Sequence, residues 1–261
     1  MEGPQKLRVR AEMLKVEASR GTAMFATLAR RDGLAGATRA LGRILIDQVR
    51  YPVTRRRRMS ERFRVFGHDL PYAMSRYNNT FRNERSVEIS VARWFLSRRP
   101  SGRMLEVGNV LSHYGIEGHD VLDRYETIRG VMNEDIVGFV PPHPYDTVVS
   151  ISTIEHVGWD ESPRAPERAV AAFEALLGSA TSGGRILVTF PIGYNPALDA
   201  GLRDRGVAMP IQTALIRTDS ENHWVEASVE DGLTRRYGTP FNNANAVYVG
   251  MSDATYEAES A

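Results

Sequence analysis

Acids, a glycine and a Glu–His pair recur in this chain where apolar runs end. "RMLEVG" closes on Glu106 and Gly108, and "HDVLDRYE" carries Asp123 where its apolar run stops. "NED" places Asp135 before Ile136, and "YDTVVSISTIEH" passes through Ser152 to Glu155 and His156. In an open sheet of parallel strands, ligands bind beyond the carboxyl ends of the strands, so these side chains are the first candidates for chemistry. Several common chemistries are excluded. Gly108 is followed by Asn, Val, Leu, Ser, His and Tyr before Gly115, so the dinucleotide fingerprint G-x-G-x-x-G is absent. No lysine lies beyond Lys15, which excludes a P-loop. G-x-S-x-G of a serine hydrolase is missing. His113, His119, His143, His156 and His223 form no close metal-ligand motif such as H-E-x-x-H. The chain has no cysteine, which removes disulfides, thiolate metal sites and cysteine nucleophiles.

The elements that must carry these residues are legible in the spacing. A helix is predicted from about Glu84, with Val87, Val91, Trp94 and Phe95 on one face and Pro100 and Gly102 at its end. Strands are predicted in "RMLEVG", near Val121–Asp123, around Val148–Ile151 and in "RILVTFP", the last preceded by a "TSGG" turn. Between the last two, "SPRAPERAVAAFEALLGSA" reads as a helix. Pro166 suits its first turn, and Val170, Phe173, Leu176 and Leu177 face inward. "TALIRT", "HWVEASV" and "NAVYVGM" are strand-like. The alternation predicts an α/β fold: a mostly parallel central sheet with helices on both faces. About ten residues separate Gly108 from the second strand, near the lower limit for a parallel crossover.

A chain of 261 residues is long enough for one large domain plus an extension. The net charge of +1 hides a split: residues 1–65 hold 16 Lys+Arg against 6 Asp+Glu. We therefore expect a basic helical extension over 1–65 and an α/β domain over 66–261. "GATRALGRILIDQVRYPV" places Leu41, Ile44, Leu45 and Val49 at helical spacing, and "RRRR" follows at 55–58. One reading of 1–58 is weak contact with an anionic membrane surface. The favoured one is an amphipathic helix docked on its own domain or on a second copy in a homodimer, because the stripe is an ordinary core stripe. No strong nucleic-acid signal accompanies it. No run approaches the roughly 20 apolar residues of a membrane-spanning helix, and the first residues lack a signal-peptide core. The expected location is cytoplasmic, with peripheral membrane contact as the alternative.

"LEVGN", "YDTVVSISTIEHVG" and "SGGRILVTFP" together resemble the class I S-adenosylmethionine-dependent methyltransferases, over roughly residues 84–195. The resemblance implies a Rossmann-like fold and S-adenosylmethionine as cofactor. That cofactor has no pyrophosphate, so a full glycine-rich loop is not required. By resemblance, Glu106, Gly108 and Asn109 line its methionyl end. Asp123 accepts hydrogen bonds from the ribose hydroxyls, as an ionised carboxylate does well. Asp135 meets the adenine amino group with Ile136 against the ring. Ser152, Glu155 and His156 lie at the floor near the transferred methyl, with His156 and Glu155 as the acid–base pair. Asn79, Arg82, His113 and Tyr194 are the expected acceptor-binding residues, and no metal is implied. The chain departs from the family where the usual G-x-G is G-N-V. The expected reaction is methyl transfer to a small-molecule or glycan-like acceptor, at oxygen. The alternative is a methyltransferase-like fold that binds a ligand or partner without catalysis. Structural roles stand beside these: Glu106 as a helix cap or arginine partner, Asp135 in a plain turn, and Thr80 or Asn83 as a cap with Glu84 in the first turn.

Overall fold

The computed structural model describes residues 49–98 and 102–253, with Gly42 and Tyr256. It forms two compact units, Met1–Arg56 and Arg57–Ala261. In the first, residues 49–56 are helical and Val49 and Val53 are exposed one turn apart. Leu41, Ile44 and Leu45 of the expected stripe lie outside the described residues. The second unit starts at Arg57, ahead of the boundary expected at residue 66. The reason is local: β1 (Arg62–Val65) and β2 (His68–Pro71) form an antiparallel hairpin, and Phe63, Val65 and Leu70 are buried in this unit's core. No helix among the described residues is long and apolar enough to cross a membrane.

The central sheet has eight strands: β3 (Met104–Val107), β4 (Asp120–Leu122), β5 (Val131–Met132), β6 (Tyr145–Ile151), β7 (Ala180–Pro191), β8 (Ile211–Arg217), β9 (Trp224–Ala227) and β10 (Ala246–Ser252). Their order is β5-β4-β3-β6-β7-β10-β8-β9. The first five are parallel, whereas β10 runs antiparallel to both β7 and β8, and β8 to β9. This is the expected mostly parallel, Rossmann-like sheet. Chain order reverses between β3 and β6, so a ligand crevice is expected beyond Val107 and Ile151.

Period-two burial explains the layers. Val148, Ile186 and Val188 face one core, while Val149, Ile151 and Leu187 face the other. The first core is closed by α2 (Arg168–Gly178), through Ala169, Phe173 and Leu176, and by α3 (Pro196–Arg203), through Leu198 and Leu202. The second is closed by α1 (Arg85–Ser97), through Val87, Val91 and Phe95, and by the β1–β2 hairpin. A short helix, α4 (Val229–Gly232), follows β9. Two expectations need correction. "TSGG" is no turn between elements but a bulge inside β7. Tyr145 pairs with Ala180 and Thr147 with Arg185, and Gly183 takes φ +75° in the extra length. Pro166 sits in the turn ahead of α2 rather than within it.

Candidate functional site

The region beyond the carboxyl ends of β3 and β4 is built first by Gly108. Its N–H donates to the Leu122 carbonyl at 2.8 Å, which ties the end of β3 to the end of β4. Its φ is +88°, and a Cβ there would fall 2.1 Å from Thr153 Oγ1. Glycine is thus required both by conformation and by the close approach of the residues after β6. Gly108→Ala should cost about 2–5 kcal/mol from left-handed strain plus overpacking. Urea unfolding checks this, and Thr153→Ala in the same chain should recover only part, because Thr153 Cβ is itself within 2.9 Å.

Asp123 follows β4 directly. Its Oδ1 accepts the N–H groups of Tyr125 and Glu126 at 2.8 and 2.9 Å, fixing the carboxylate in a turn. Its Oδ2 has no partner among the described residues. Glu106 is different. It is fully buried, with Oε1 accepting from the N–H groups of Val110 and Leu111, both at 2.7 Å, and Oε2 paired with His119 Nε2 at 2.8 Å. Both oxygens serve the chain itself, as the capping reading anticipated. The crossover from β3 to β4 holds only a 3-10 turn, Leu111–Tyr114, and Glu106 supplies the acceptors its first N–H groups need. Asn109 Oδ1 accepts from Ser112 Oγ in the same loop.

A second 3-10 turn, Tyr77–Arg82, packs on that loop. Tyr77 stacks on His113 at 4.3 Å, and the Thr80 and Tyr114 hydroxyls bond at 2.6 Å. Burial pushes the Tyr114 hydroxyl up to about 12. His113 therefore lies in the β3–β4 loop and Asn79 in the turn that packs on it, while Arg82 is exposed at that turn's end.

On the β6 side the sequence candidates converge. Glu155 is 1% exposed, its Oε2 has no hydrogen-bond partner among the described residues, and burial pushes its carboxyl up to about 7 against the pull of His156 and Arg85. His156 Nε2 stands 3.5 Å from Glu155 Oε1, and its Nδ1 is 2.6 Å from Asp160 Oδ2. The Tyr194 hydroxyl donates to the same Asp160 carboxylate, and its ring lies edge-on to His156 at 4.9 Å. The histidine thus sits between two acids, each facing a different ring nitrogen, which suits proton transfer rather than metal ligation. Asp160 was missed from sequence; the H-x-x-x-D spacing was its only signal. Asn195 caps α3 through Oδ1 and donates through Nδ2 to the Glu155 carbonyl at 3.0 Å, so the helix start locates the acid.

The raised Glu155 carboxyl has a stability consequence. Its folded-state affinity for a proton exceeds that of the unfolded chain, so its contribution is present below the ordinary carboxylate range and is lost as pH rises through about 7. The wild type should lose roughly 3 kcal/mol across that window that Glu155→Gln does not lose. Urea unfolding of both proteins at about pH 5 and about pH 8 measures it, and equal slopes would mean the carboxyl ionises without penalty.

Ser152 lies at φ +38°, an uncommon conformation for serine, and is held by Glu88, which the sequence reading passed over, and by Arg85, which stands at the end of the polar patch before α1. Its Oγ donates to Glu88 Oε1 at 2.6 Å, and Thr189 Oγ1 donates to the same oxygen at 2.8 Å. Arg85 donates to the carbonyls of Ile151 and Ser152 at 2.7 and 3.2 Å and to Glu88 Oε2 at 3.3 Å. The first turn of α1 therefore clamps the end of β6. An acid on the buried stripe between Val87 and Val91 was the available signal.

Both carboxylate oxygens of Asp135 have partners within the chain. Its Oδ1 accepts from the Val137 N–H, and its Oδ2 pairs with Arg168 at 2.6 Å and Arg124 at 3.0 Å. Ile136 is buried in the core cluster that contains Phe173. Together with Glu161, which pairs with Arg124 at 3.0 Å, this network joins the loops after β5 and β6. A separate cleft of about 540 Å³ opens at the amino ends of β3 and β6, lined by Arg103, Met104, His119 and Thr147. It is at the opposite end of the strands from Asp123 and Glu155.

No protein-family model matches the chain, and no curated protein does. Among solved structures it is similar to the N-methyltransferase NodS from Bradyrhizobium japonicum, at 13% identity and TM-score 0.35, over 64% of this chain and 85% of that one. It is similar to an S-adenosylmethionine-dependent methyltransferase from Thermotoga maritima, at 12% identity and TM-score 0.38, over 68% and 93%. A third is the sugar N-methyltransferase KedS8 from Streptoalloteichus, at 14% and 0.33, over 73% and 96%. At such values the likeness says nothing about activity, and the chemistry of the site has to come from its own residues.

Proposed function

We propose that this chain is an S-adenosylmethionine-dependent methyltransferase acting on a small polar or glycan-like acceptor. One observation carries the reading. One strand from the point where strand order reverses, an acid directly beyond β4 is fixed through Oδ1, and its Oδ2 has no partner among the described residues, beside a glycine and without any phosphate loop. These residues fit a cofactor that has vicinal hydroxyls and no pyrophosphate.

When bound, S-adenosylmethionine supplies a methyl group on a positively charged sulfur. Asp123 accepts hydrogen bonds from the ribose hydroxyls. The Gly108 backbone lets the chain pass close to the methionyl end, and Glu106 holds that loop rather than touching ligand. Asp135 acts through its arginines, by tying the two flanking loops together. The Glu155–His156 pair moves the acceptor proton, with Asp160 setting the imidazole tautomer. The 77–82 turn with Asn79 and Arg82, and His113 and Tyr194, bound the acceptor side. Most of the rate comes from holding the reactants in line, as in any displacement between two bound groups.

The non-catalytic reading has one observation in its favour: the 109–114 loop is filled by its own side chains, with Leu111 buried and Tyr114 bonded to Thr80. A donor-consumption assay over hydroxyl- and amine-bearing acceptors separates the two. Acceptor-dependent formation of S-adenosylhomocysteine supports the enzyme. Ligand binding without turnover supports the binder.

A further inference from the structure

We propose that the acceptor is a small primary or secondary amine, bound as its ammonium ion and deprotonated by Glu155. This rests on the methyltransferase reading above. The observation behind it is the buried, unpartnered Glu155 Oε2. An ammonium N–H satisfies that oxygen and neutralises its charge.

The surroundings select for a cation. Arg85 and Glu88 reach Glu155 from α1, and His156 from its own loop. Tyr194, Tyr237 and Asp160 complete the group, and Glu84 shares Tyr237 with Glu155. Counting Glu155 itself, four acids stand against Arg85, His156 and the Arg217 whose charge acts on Glu84. Tyr194 and Tyr237 meet edge-to-face at 4.9 Å, an aromatic wall of the kind that favours cations. Base strength is in reach. Burial has pushed the Glu155 carboxyl up to about 7, roughly 1–3 units below an α-amino or lysine-type ammonium and far closer to it than an ordinary carboxylate is. An aliphatic hydroxyl, the oxygen acceptor expected from sequence, holds its proton about as tightly as water does, beyond the reach of a carboxylate.

The step balances. The ammonium gives one proton to Glu155 Oε2, and the freed nitrogen lone pair forms a C–N bond as the C–S bond breaks, its electron pair staying on sulfur. The product is a methylammonium ion and a neutral thioether. The carboxyl then turns about its Cγ–Cδ bond, which brings the protonated oxygen to the Oε1 position 3.5 Å from His156 Nε2, and the half-exposed imidazole takes the proton and passes it to water.

The test uses the full chain, a donor labelled with carbon-13 in its methyl group, and a mixture of amino sugars, amino acids and arylalkylamines. The same mixture with its amines acetylated is run beside it. The expected result is label on nitrogen only, with none in the acetylated set. Glu155→Gln should lose about 100-fold in kcat/KM near neutral pH and recover as pH passes the ammonium pKa. Independently of turnover, an infrared carboxyl band present in the wild type and absent in Glu155→Gln should titrate near neutrality. Label on oxygen, label in the acetylated set, no such band, or S-adenosylhomocysteine binding with no amine labelled overturns the proposal. Failure to bind S-adenosylhomocysteine at all would instead overturn the methyltransferase reading.

Discussion

Glu88→Ala should destabilise the fold by about 3–5 kcal/mol, the cost typical of removing one partner from a buried charge pair. Glu88 is fully buried and accepts from Ser152, Thr189 and Arg85 at once. Its loss takes from the Arg85 guanidinium its carboxylate hydrogen bond, so that among the described residues the Ile151 and Ser152 carbonyls remain as its acceptors, and it leaves two hydroxyls without their shared acceptor. It also releases Ser152 from the conformation that aims the following residues at the crevice. At this chain length the melting temperature should fall by about 10 °C. Glu88→Gln keeps the shape and the hydroxyl acceptor and should cost less than half as much. Urea and thermal unfolding of both variants measure this. A loss below about 1 kcal/mol for alanine would mean that no clamp exists.

His156→Ala should lower kcat for methyl transfer by about 10²–10³-fold while leaving stability within about 0.5 kcal/mol. The separation follows from the geometry. The side chain is 48% exposed and contributes little to the core, yet it is the group that links Glu155 to Asp160 and to solvent. Asp160→Asn should give a smaller loss, because the ring keeps its edge contact with Tyr194. Unfolding curves and steady-state kinetics on the same preparations separate the two effects. A stability loss matching the activity loss would assign His156 a packing role.

The parts of this molecule that local pattern controls were readable in advance. α1 and α2 follow from apolar spacing, and β3, β4 and β6 from short apolar runs ending in Glu106, Asp123 and Glu155. What escaped depends on distant partners. "TSGG" carries turn residues, and only pairing with β6 keeps it in β7 as a bulge. Three strand-like runs near the end were visible, but their antiparallel order, with β10 inserted between β7 and β8, is set by sheet pairing across the chain. Among the site residues, Glu155 and His156 were found because they follow an apolar strand run; they lie in a 3-10 turn, Ile154–His156, just beyond β6. Glu88 was passed over because its partners, Ser152 and Thr189, are remote in sequence. Glu106 and Asp135 were identified as acids in the right places, yet their oxygens are taken by His119, Arg124, Arg168 and loop N–H groups. Spacing identifies position in a fold, and hydrogen-bond bookkeeping decides whether a carboxylate is left for a ligand.

The central claim is that the crevice beyond β3 and β4 holds S-adenosylmethionine through Asp123. Calorimetric titration of S-adenosylhomocysteine into the wild type and Asp123→Ala tests it most directly. The expected result is saturable binding by the wild type, weakened at least about 100-fold in Asp123→Ala, as the loss of charge-assisted hydrogen bonds requires. No binding by the wild type at millimolar concentration, or equal binding by the two proteins, would contradict it.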